Sequence, residues 1–461
     1  PKTLRKMFEA GLDVARLNFS HGEADDHRAR AEVLRAAAEK TGRDVGIMGD
    51  LQGPKIRIRR FKDGSVELKD GAPFILDSTL GFEDGDEHGV SVALDTLHED
   101  VKEGDVLLLN DGMITLEVTS VEGTRLHTTV VNGGILSDHK GINKKGGGLS
   151  APALTEIDKQ NIRLAAELQM DFLAVSFVRT GDDIREARRL FKEAGGEGLI
   201  VAKIERTEAV ENIDDIIAAA DVIMVARGDL GVEMGYARLT GIQKKLIRKT
   251  RKASKVVITA TQMMESMILN PIPTRAEVSD VSNAVMDGTD AVMLSGETAV
   301  GKHPVKAVRA MAEVCMGAET FELPVGQTRH RLGDYFSRVD EAIAMAVMYT
   351  ANHLNVRAIF ALTESGSTAL WMSRIRSDIP IYAFTPHVAT ARRVSMYRGV
   401  TPIHFDIKTT NSRKVYQDVF NIMLARNSVD VGDRIIFTKG DLDGVSGSTN
   451  AMKIVEVTAA E

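Results

Sequence analysis

Seven short, almost wholly apolar runs recur along the chain, at 14–19, 45–50, 172–177, 199–205, 222–227, 256–262 and 291–297. Amphipathic stretches with helical spacing follow most of them, at 25–40, 182–193, 237–252 and 304–317, and another precedes the first run at 2–10. Strands that are apolar on both faces and alternate with helices predict a parallel sheet covered by helices. The order of the runs fits an α/β fold of the (β/α)8 (TIM) barrel type. Such a barrel needs eight strands, so its first is expected upstream of Pro1.

Two stretches break this rhythm. Residues 61–150 hold 17 Asp and Glu against 7 Lys and Arg, in short β-prone runs rich in glycine, so they predict a separate acidic β-domain. Asp111-Gly112 lies between two apolar runs and predicts a hairpin with a type I′ turn, which needs positive φ at both central residues. Gly146-Gly147-Gly148 predicts the exit linker or hinge of that domain. From about residue 335 the alternation restarts, with a helix at 339–353, runs at 358–362 and 381–384, a helix at 368–377 and strands at 434–438 and 453–457. The predicted plan is a first barrel part at 1–53, an inserted β-rich lid at 54–150, a second barrel part at 151–325 and an α/β domain at 335–461. A length of 461 residues suits about three domains at roughly 150 residues each.

Composition narrows the function classes. A formal charge of −7 argues against a general binder of nucleic acid or of a membrane surface. The single cysteine, Cys315, excludes an internal disulfide framework and fits a reducing cytoplasm. No apolar run approaches the ~20 residues that span a bilayer, so a soluble, cytoplasmic enzyme is expected.

Polar side chains interrupt the apolar runs mainly at their C-terminal ends, two residues apart and so on one strand face. They are Arg16, Asn18 and Ser20 on the first run, Lys203 and Glu205 on the fourth, Asp229 after the fifth, Thr259 and Thr261 on the sixth, and Ser295 and Glu297 on the last. In a TIM barrel these positions converge on the catalytic mouth. Glu205 and Asp229, with no His or Cys nearby, offer all-oxygen ligation of the kind that suits Mg2+ or Mn2+; the plainer reading pairs Glu205 with Lys203 or Arg206. A lysine point charge beside a divalent ion suits phosphoryl transfer, which is driven by positioning and charge neutralisation. Ser20 and Glu23 also fit a helix capping box. The stretch Thr363-Glu364-Ser365-Gly366-Ser367-Thr368 joins a strand to a helix, where free N–H groups and hydroxyls can hold a phosphate or simply cap the helix.

These residues sit in longer segments: ARLNFSHG (15–22), GDLQGPKIR (49–57), VAKIE (201–205), MVARGDLGVE (224–233), ITATQMMESM (258–267) and PTRAEVSDVSNAVMDGTDAVMLSGETA (273–299). Together, and in this order, they resemble the pyruvate kinases. The resemblance implies a barrel with an inserted lid domain and a C-terminal regulatory domain, and transfer of phosphate from phosphoenolpyruvate to ADP in the last step of glycolysis. It implies that Lys203 stabilises the moving phosphoryl group, that Glu205 and Asp229 hold the divalent metal, and that Arg16 grips the phosphate. Gly228 and Thr261 would meet the substrate carboxylate, Arg57 the nucleotide, and Ser295 and Glu297 would belong to a proton relay. Asn18, Ser20, Asp50 and the backbone of Leu51 would line a monovalent-cation site for K+. Residues Thr363, Ser365, Gly366, Ser367 and Thr368 would bind the phosphate of an allosteric effector in a homotetramer.

Three departures from the family pattern stand out. Leu51-Gln52 replaces a Thr-Lys pair, Ile157 stands where a nucleotide-contacting lysine is expected, and Lys55 stands where many members carry glutamate. The ammonium of Lys55 supplies the unit charge of K+ covalently, so K+ is expected to be dispensable. Two other readings remain open. One is a Mg2+-dependent enolate-forming lyase or aldolase on a similar barrel, which would need neither the acidic lid, nor Arg57, nor the C-terminal loop. The other is a metabolite sensor without activity, against which intact Lys203, Glu205 and Asp229 speak.

Overall fold

In a computed structural model the chain is described over residues 2–321, 335–407, 411–440 and 447–459. The seven apolar runs form seven strands: β1 (Val14–Asn18), β2 (Gly46–Asp50), β3 (Phe172–Val175), β4 (Leu199–Ile204), β5 (Val222–Ala226), β6 (Val256–Ala260) and β7 (Ala291–Met293). They lie in one sheet in the order β1-β2-β3-β4-β5-β6-β7, every pairing parallel. The order never reverses, which separates this sheet from a doubly wound one and matches a sheet curling toward a barrel.

The alternation of side chains assigns each strand two apolar faces. Leu173, Val175, Ile200, Ala202, Ile223, Val225 and Val257 pack outward against the helices. Phe172, Ala174, Val201, Val222, Met224, Val256 and Ile258 point the other way, into a second core continuous with that of the C-terminal domain. Every second residue of a strand returns to the same face. Arg16 and Asn18 therefore share the face of Val14, Asp50 that of Met48, and Lys203 that of Val201.

Residues 65–144 build a six-stranded sheet ordered Ile142–Lys144, Val106–Leu109, Ile114–Glu122, Arg125–Asn132, Pro73–Asp77, Gly89–Val90, plus the pair Ser65–Leu68 with Gly134–Ser137. This region has its own core around Phe74, Leu76, Leu107, Leu116 and Leu126. The predicted hairpin is present but its loop is longer than two residues: Leu109 pairs with Ile114, and Asn110, Asp111 and Gly112 all have positive φ. Two overlapping turns, Gly112 N–H to Leu109 carbonyl and Met113 N–H to Asn110 carbonyl, make the reversal.

The C-terminal domain is a five-stranded sheet of β8 (Ala358–Leu362), β9 (Ile381–Thr385), β10 (Val400–His404), β11 (Arg434–Gly440) and β12 (Thr449–Glu456), in the order β10-β9-β8-β11-β12. All pairings are parallel except β11–β12. The boundary expected between 325 and 335 lies outside the described residues. No described helix is long and apolar enough to cross a membrane.

Candidate active site

The C-terminal ends of β1, β2 and β4 bring four charged groups together. Lys203 Nζ lies 2.7 Å from Ser176 Oγ, 3.2 Å from Asp50 Oδ1 and 3.1 Å from Glu205 Oε1. Arg16 Nε donates to Asp50 Oδ2 at 2.6 Å. Burial alone would discharge Lys203, but Asp50 and Glu205 hold its ammonium above its usual range. Burial likewise works against the Asp50 carboxylate, and Lys203 with Arg16 overcomes it, so Asp50 stays ionised. Glu205 differs: burial, with Asp229 and Asp50 adding repulsion, pushes it up despite Lys203 and the Phe177 N–H that donates to its Oε2 at 2.7 Å.

Asp229 does not end a strand as the sequence pattern implies. β5 stops at Ala226, and Asp229 stands in the first turn of the helix Arg227–Met234. Its Oδ1 is buried without an aligned hydrogen bond, and Lys55 Nζ pairs with it at 3.1 Å. Two carboxylates thus crowd each other in a cation-hungry, all-oxygen pocket, and the donor set fits a divalent ion that shares its remaining positions with substrate and water. Among the described residues no cluster of three or more His, Cys, Asp or Glu forms a fuller cage.

The sixth strand corrects the expected face-sharing. Thr259 points outward beside Val257, fully buried, and donates to Thr289 Oγ1 at 3.0 Å, away from the mouth. Strict alternation would send Thr261 the same way. Instead the chain turns left-handed at Thr261 (φ 70°) and Gln262 (φ 53°). Thr261 Oγ1 consequently accepts the Gly228 N–H at 2.9 Å, linking the two residues assigned to the substrate carboxylate. A non-glycine residue at such φ is uncommon and costs of order 1–3 kcal/mol, a strain typical of functional sites. Ser295 and Glu297 meet through the Ser295 N–H, 2.7 Å from Glu297 Oε2; Glu297 is buried and also accepts Met264 N–H at 3.1 Å.

The residues assigned to the monovalent cation are close in chain and space, but several of their oxygens are engaged. Asn18 Oδ1 accepts Ser20 N–H at 3.1 Å, and the Leu51 carbonyl accepts Ser176 Oγ–H at 2.8 Å. Ser20 does not cap the following helix. That helix begins at Ala24, and the capping box is made by Glu23 and Asp26 one turn later. Lys55 is not at this group. Its ammonium sits with Asp229 and, at 3.5 Å, with Asp111 of the long hairpin loop. Arg57 donates to the His139 carbonyl at 2.9 Å, and Ile157 is exposed at the start of its helix. In the C-terminal loop, Thr363 and Thr368 are buried: Thr363 Oγ1 accepts Gly366 N–H at 2.9 Å and Thr368 pairs with Thr449 at 2.7 Å. Ser365 is exposed and Ser367 half-buried.

Three supporting residues escaped the sequence reading. Ser176 bridges Lys203 to the Leu51 carbonyl; it is the first polar residue after the apolar stretch 172–175, the signal that could have found it. Asp158, fully buried, accepts the Gly53 N–H at 3.1 Å, where a Cβ on Gly53 (φ 67°) would stand 2.7 Å from Ser176. Only glycine fits there. Arg227 donates to the Thr261 carbonyl at 2.7 Å and pairs with Asp280 at 2.7 Å, which fixes the left-handed turn.

A sequentially ordered parallel sheet with a buried lysine among carboxylates at its C-terminal edge is the layout of a barrel-type enzyme, and its charge arrangement suits phosphoryl transfer. The family model of the pyruvate kinase barrel domain matches residues 1–308, and that of the pyruvate kinase alpha/beta domain matches residues 341–455. The chain is 53% identical to pyruvate kinase II of Salmonella typhimurium over 98% of this chain and 95% of that one. It is 50% identical to pyruvate kinase of Haemophilus influenzae over 98% and 95%, and 41% identical to that of Geobacillus stearothermophilus over 98% and 77%. The chain belongs to the pyruvate kinase family, and its reaction is the family's phosphoryl transfer from phosphoenolpyruvate to ADP, giving pyruvate and ATP.

Proposed function

We propose that Lys203, Arg16, Glu205, Asp229, Gly228 and Thr261 carry this reaction in the roles their surroundings suit. The observation that carries the reading is the placement of one charged lysine between Asp50 and Glu205 on the inward face of β4. Lys203 neutralises the transferring phosphoryl oxygens by giving up one of its protein partners to them, while Arg16, anchored by Asp50, holds the phosphate in register. The Gly228 N–H and Thr261 orient the substrate carboxylate at the N-terminal end of the helix Arg227–Met234, where N–H groups favour an anion. Glu205 and Asp229 hold Mg2+ or Mn2+, which when bound supplies charge neutralisation to the phosphate oxygens. Ser295 and Glu297 relay the proton delivered to the enolate product.

Residues 54–150 act as a lid carrying Arg57 to the nucleotide. Lys55, ion-paired with Asp229, replaces K+ electrostatically rather than by occupying the Asn18, Ser20, Asp50 and Leu51 group. Ser365, Gly366 and Ser367 receive an effector phosphate, with Thr363 and Thr368 shaping the loop from inside, and a cytoplasmic homotetramer transmits the effect. The test of the central reading is Glu205→Gln and Asp229→Asn. Each is expected to lower kcat by at least about 100-fold, roughly 3 kcal/mol of transition-state stabilisation. Near-unchanged kcat in either variant would sink the assignment.

A further inference from the structure

The 54–150 insertion leaves and rejoins the barrel by two chain legs, and each leg crosses from one hydrophobic core to another. On the way out, Leu51 belongs to the barrel core and Ile56 to the core of the insertion. On the way back, Ala151 still belongs to the insertion's core, and Leu154 already packs on that of the barrel. Asp158, on the helix Glu156–Glu167 that follows, reaches both legs at their barrel ends. Its Oδ1 accepts the Gly53 N–H at 3.1 Å. Its Oδ2 accepts the Thr155 N–H at 3.0 Å and the Thr155 hydroxyl at 2.8 Å. Ile162 and Ala165 of the same helix are fully buried in the barrel core, so the carboxylate stands on a fixed element.

Helix capping explains only half of this. Thr155 and Asp158 form a capping box, with the Asp158 N–H donating to Thr155 Oγ1 at 3.1 Å, and that box occupies Oδ2 alone. The other described capping boxes end on Asp26, Asp183 and Glu277, which are exposed or half-buried. Asp158 is 0% exposed, and its second oxygen serves a residue 105 positions earlier in the chain. Gly53 in turn rests on Ser176, whose hydroxyl accepts from Lys203 Nζ at 2.7 Å and donates to the Leu51 carbonyl at 2.8 Å. A short path of direct contacts therefore runs from Asp158 through residues 51–53 to Lys203. Other ties hold the return leg only: the Gly146 N–H donates to the Glu233 carbonyl at 3.0 Å, and Arg206 to the Leu149 carbonyl at 3.1 Å.

We propose that Asp158 is a positioning residue that pins both legs of the insertion to the barrel, so that the insertion swings about residues 54–55 and 152–153 while Leu51–Gly53 stays seated on Ser176 and Lys203. Closure has to carry Arg57 toward the nucleotide, yet Lys203 has to keep its place, because a misplacement of about 1 Å can cost roughly 100-fold in rate. A motion that began at Leu51 would pull its carbonyl from Ser176 and loosen the lysine. A pivot beyond Gly53 leaves that contact whole. Asp158 acts only through Gly53 and Ser176, at a distance from the reacting atoms. The inference rests on the reading of 54–150 as a lid and of Lys203 as the group that meets the phosphoryl oxygens.

Amide hydrogen exchange of the unmodified enzyme, resolved to single residues and measured with and without ADP and Mg2+, tests the pin directly. The Gly53 N–H should exchange as slowly as that of Leu51, which bonds to the Ala174 carbonyl at 3.0 Å, and nucleotide should leave both unchanged while amides of the insertion respond. No response anywhere in the insertion overturns the lid reading, and the swing with it. A Gly53 amide that exchanges as fast as those of the insertion overturns the pin itself, and this comparison decides even where a variant fails to fold. Asp158→Asn keeps one acceptor oxygen and can serve only one leg. Folded, it should lose about 10-fold or more in kcat, with KM for ADP rising more than KM for phosphoenolpyruvate. Thr155→Ala removes the capping hydroxyl but leaves Gly53 tied, so it should lower thermal stability and keep kcat and both KM values within about 2-fold. Asp158→Asn kinetics equal to those of the unmodified enzyme, or the same kinetic losses in Thr155→Ala, would show that capping alone accounts for the carboxylate.

Discussion

The barrel sheet buries charge at both of its ends, and the two ends do it differently. At the N-terminal end, Asp290, just before β7, pairs with Arg374 of the C-terminal domain, and both side chains are 2% exposed. Both members of this pair are answered. Arg374 Nη1 donates to the Lys255 carbonyl at 2.6 Å and to Asp290 Oδ2 at 2.9 Å, and Asp290 also accepts the N–H groups of Val257 at 2.9 Å and Arg398 at 3.2 Å. The neighbouring Arg251 yields, held down at about 10 by burial and by Arg374. At the C-terminal end the account is left open: Glu205 is pushed up by burial and by two other carboxylates, and Asp229 Oδ1 lacks an aligned donor. Saturated burial marks a joint between domains. Unsaturated burial marks a place kept for a ligand.

The difference is sharpest in Lys203→Met against Arg374→Met. Lys203→Met should lower kcat by about 1,000-fold or more, roughly 4 kcal/mol, with a much smaller change in KM for phosphoenolpyruvate, because the charge acts on the transferring group. Arg374→Met strands the Asp290 carboxylate and should cost about 3–5 kcal/mol of stability, since removing one partner of a buried pair leaves an uncompensated charge. Urea unfolding followed by the fluorescence of Trp371, the chain's one tryptophan and three residues from Arg374, reads that loss. Enzyme that remains folded should turn over normally. A stability loss at Lys203 equal to that at Arg374, or a kcat loss at Arg374 equal to that at Lys203, would erase the distinction.

Strand positions were legible in the sequence because strands buried on both faces leave uninterrupted apolar runs, and all seven pair in the order they occur. The inward residues Lys203 and Arg16 follow from period-two alternation, whereas Asp50 entered through the family resemblance. What failed was alternation beyond a strand's last residue. Thr261 reaches Gly228 through a left-handed turn, Asp229 through a helix that starts at once after β5, and Phe177 offers its N–H to Glu205 from φ 54°. Tertiary partners such as Arg227 enforce those backbone choices, and local pattern carries no trace of partners distant in sequence. Lys55 meets the same limit. Its covalent charge was legible, but its pairing with Asp229 depends on how the hairpin loop folds back.

The C-terminal loop sits between the two extremes, with two hydroxyls satisfied inside and Ser365 and Ser367 outward of them. Ser365→Asp combined with Ser367→Asp puts negative charge where a phosphate would bind. Activation by a panel of sugar phosphates and nucleoside monophosphates should then disappear, read as a lost shift in half-saturation by phosphoenolpyruvate worth about 1–3 kcal/mol. Unchanged activation by every compound would place the effector elsewhere.

The smallest expected effect concerns K+, and it turns on whether the open end of the barrel has room for another cation. Lys55 is 22% exposed and paired with Asp229 at 3.1 Å and Asp111 at 3.5 Å. Burial works against its charge, but Asp229 and Asp111 hold the ammonium above its usual range. Asp50 has no spare charge to offer a monovalent ion, since Arg16 and Lys203 already take both of its oxygens. A K+ ion entering the mouth would meet three fixed cations, and two unit charges 4 Å apart repel by about 4 kcal/mol at an effective dielectric near 20. Exchanging KCl for tetramethylammonium chloride at constant ionic strength should therefore change kcat by less than about 2-fold, under roughly 0.5 kcal/mol. Lys55→Glu reverses the local charge by two units and should create a K+ requirement. A steep K+ dependence in the unmodified enzyme would show that the covalent ammonium serves Asp229 alone, and that the ion still finds its place beside Asn18 and Ser20.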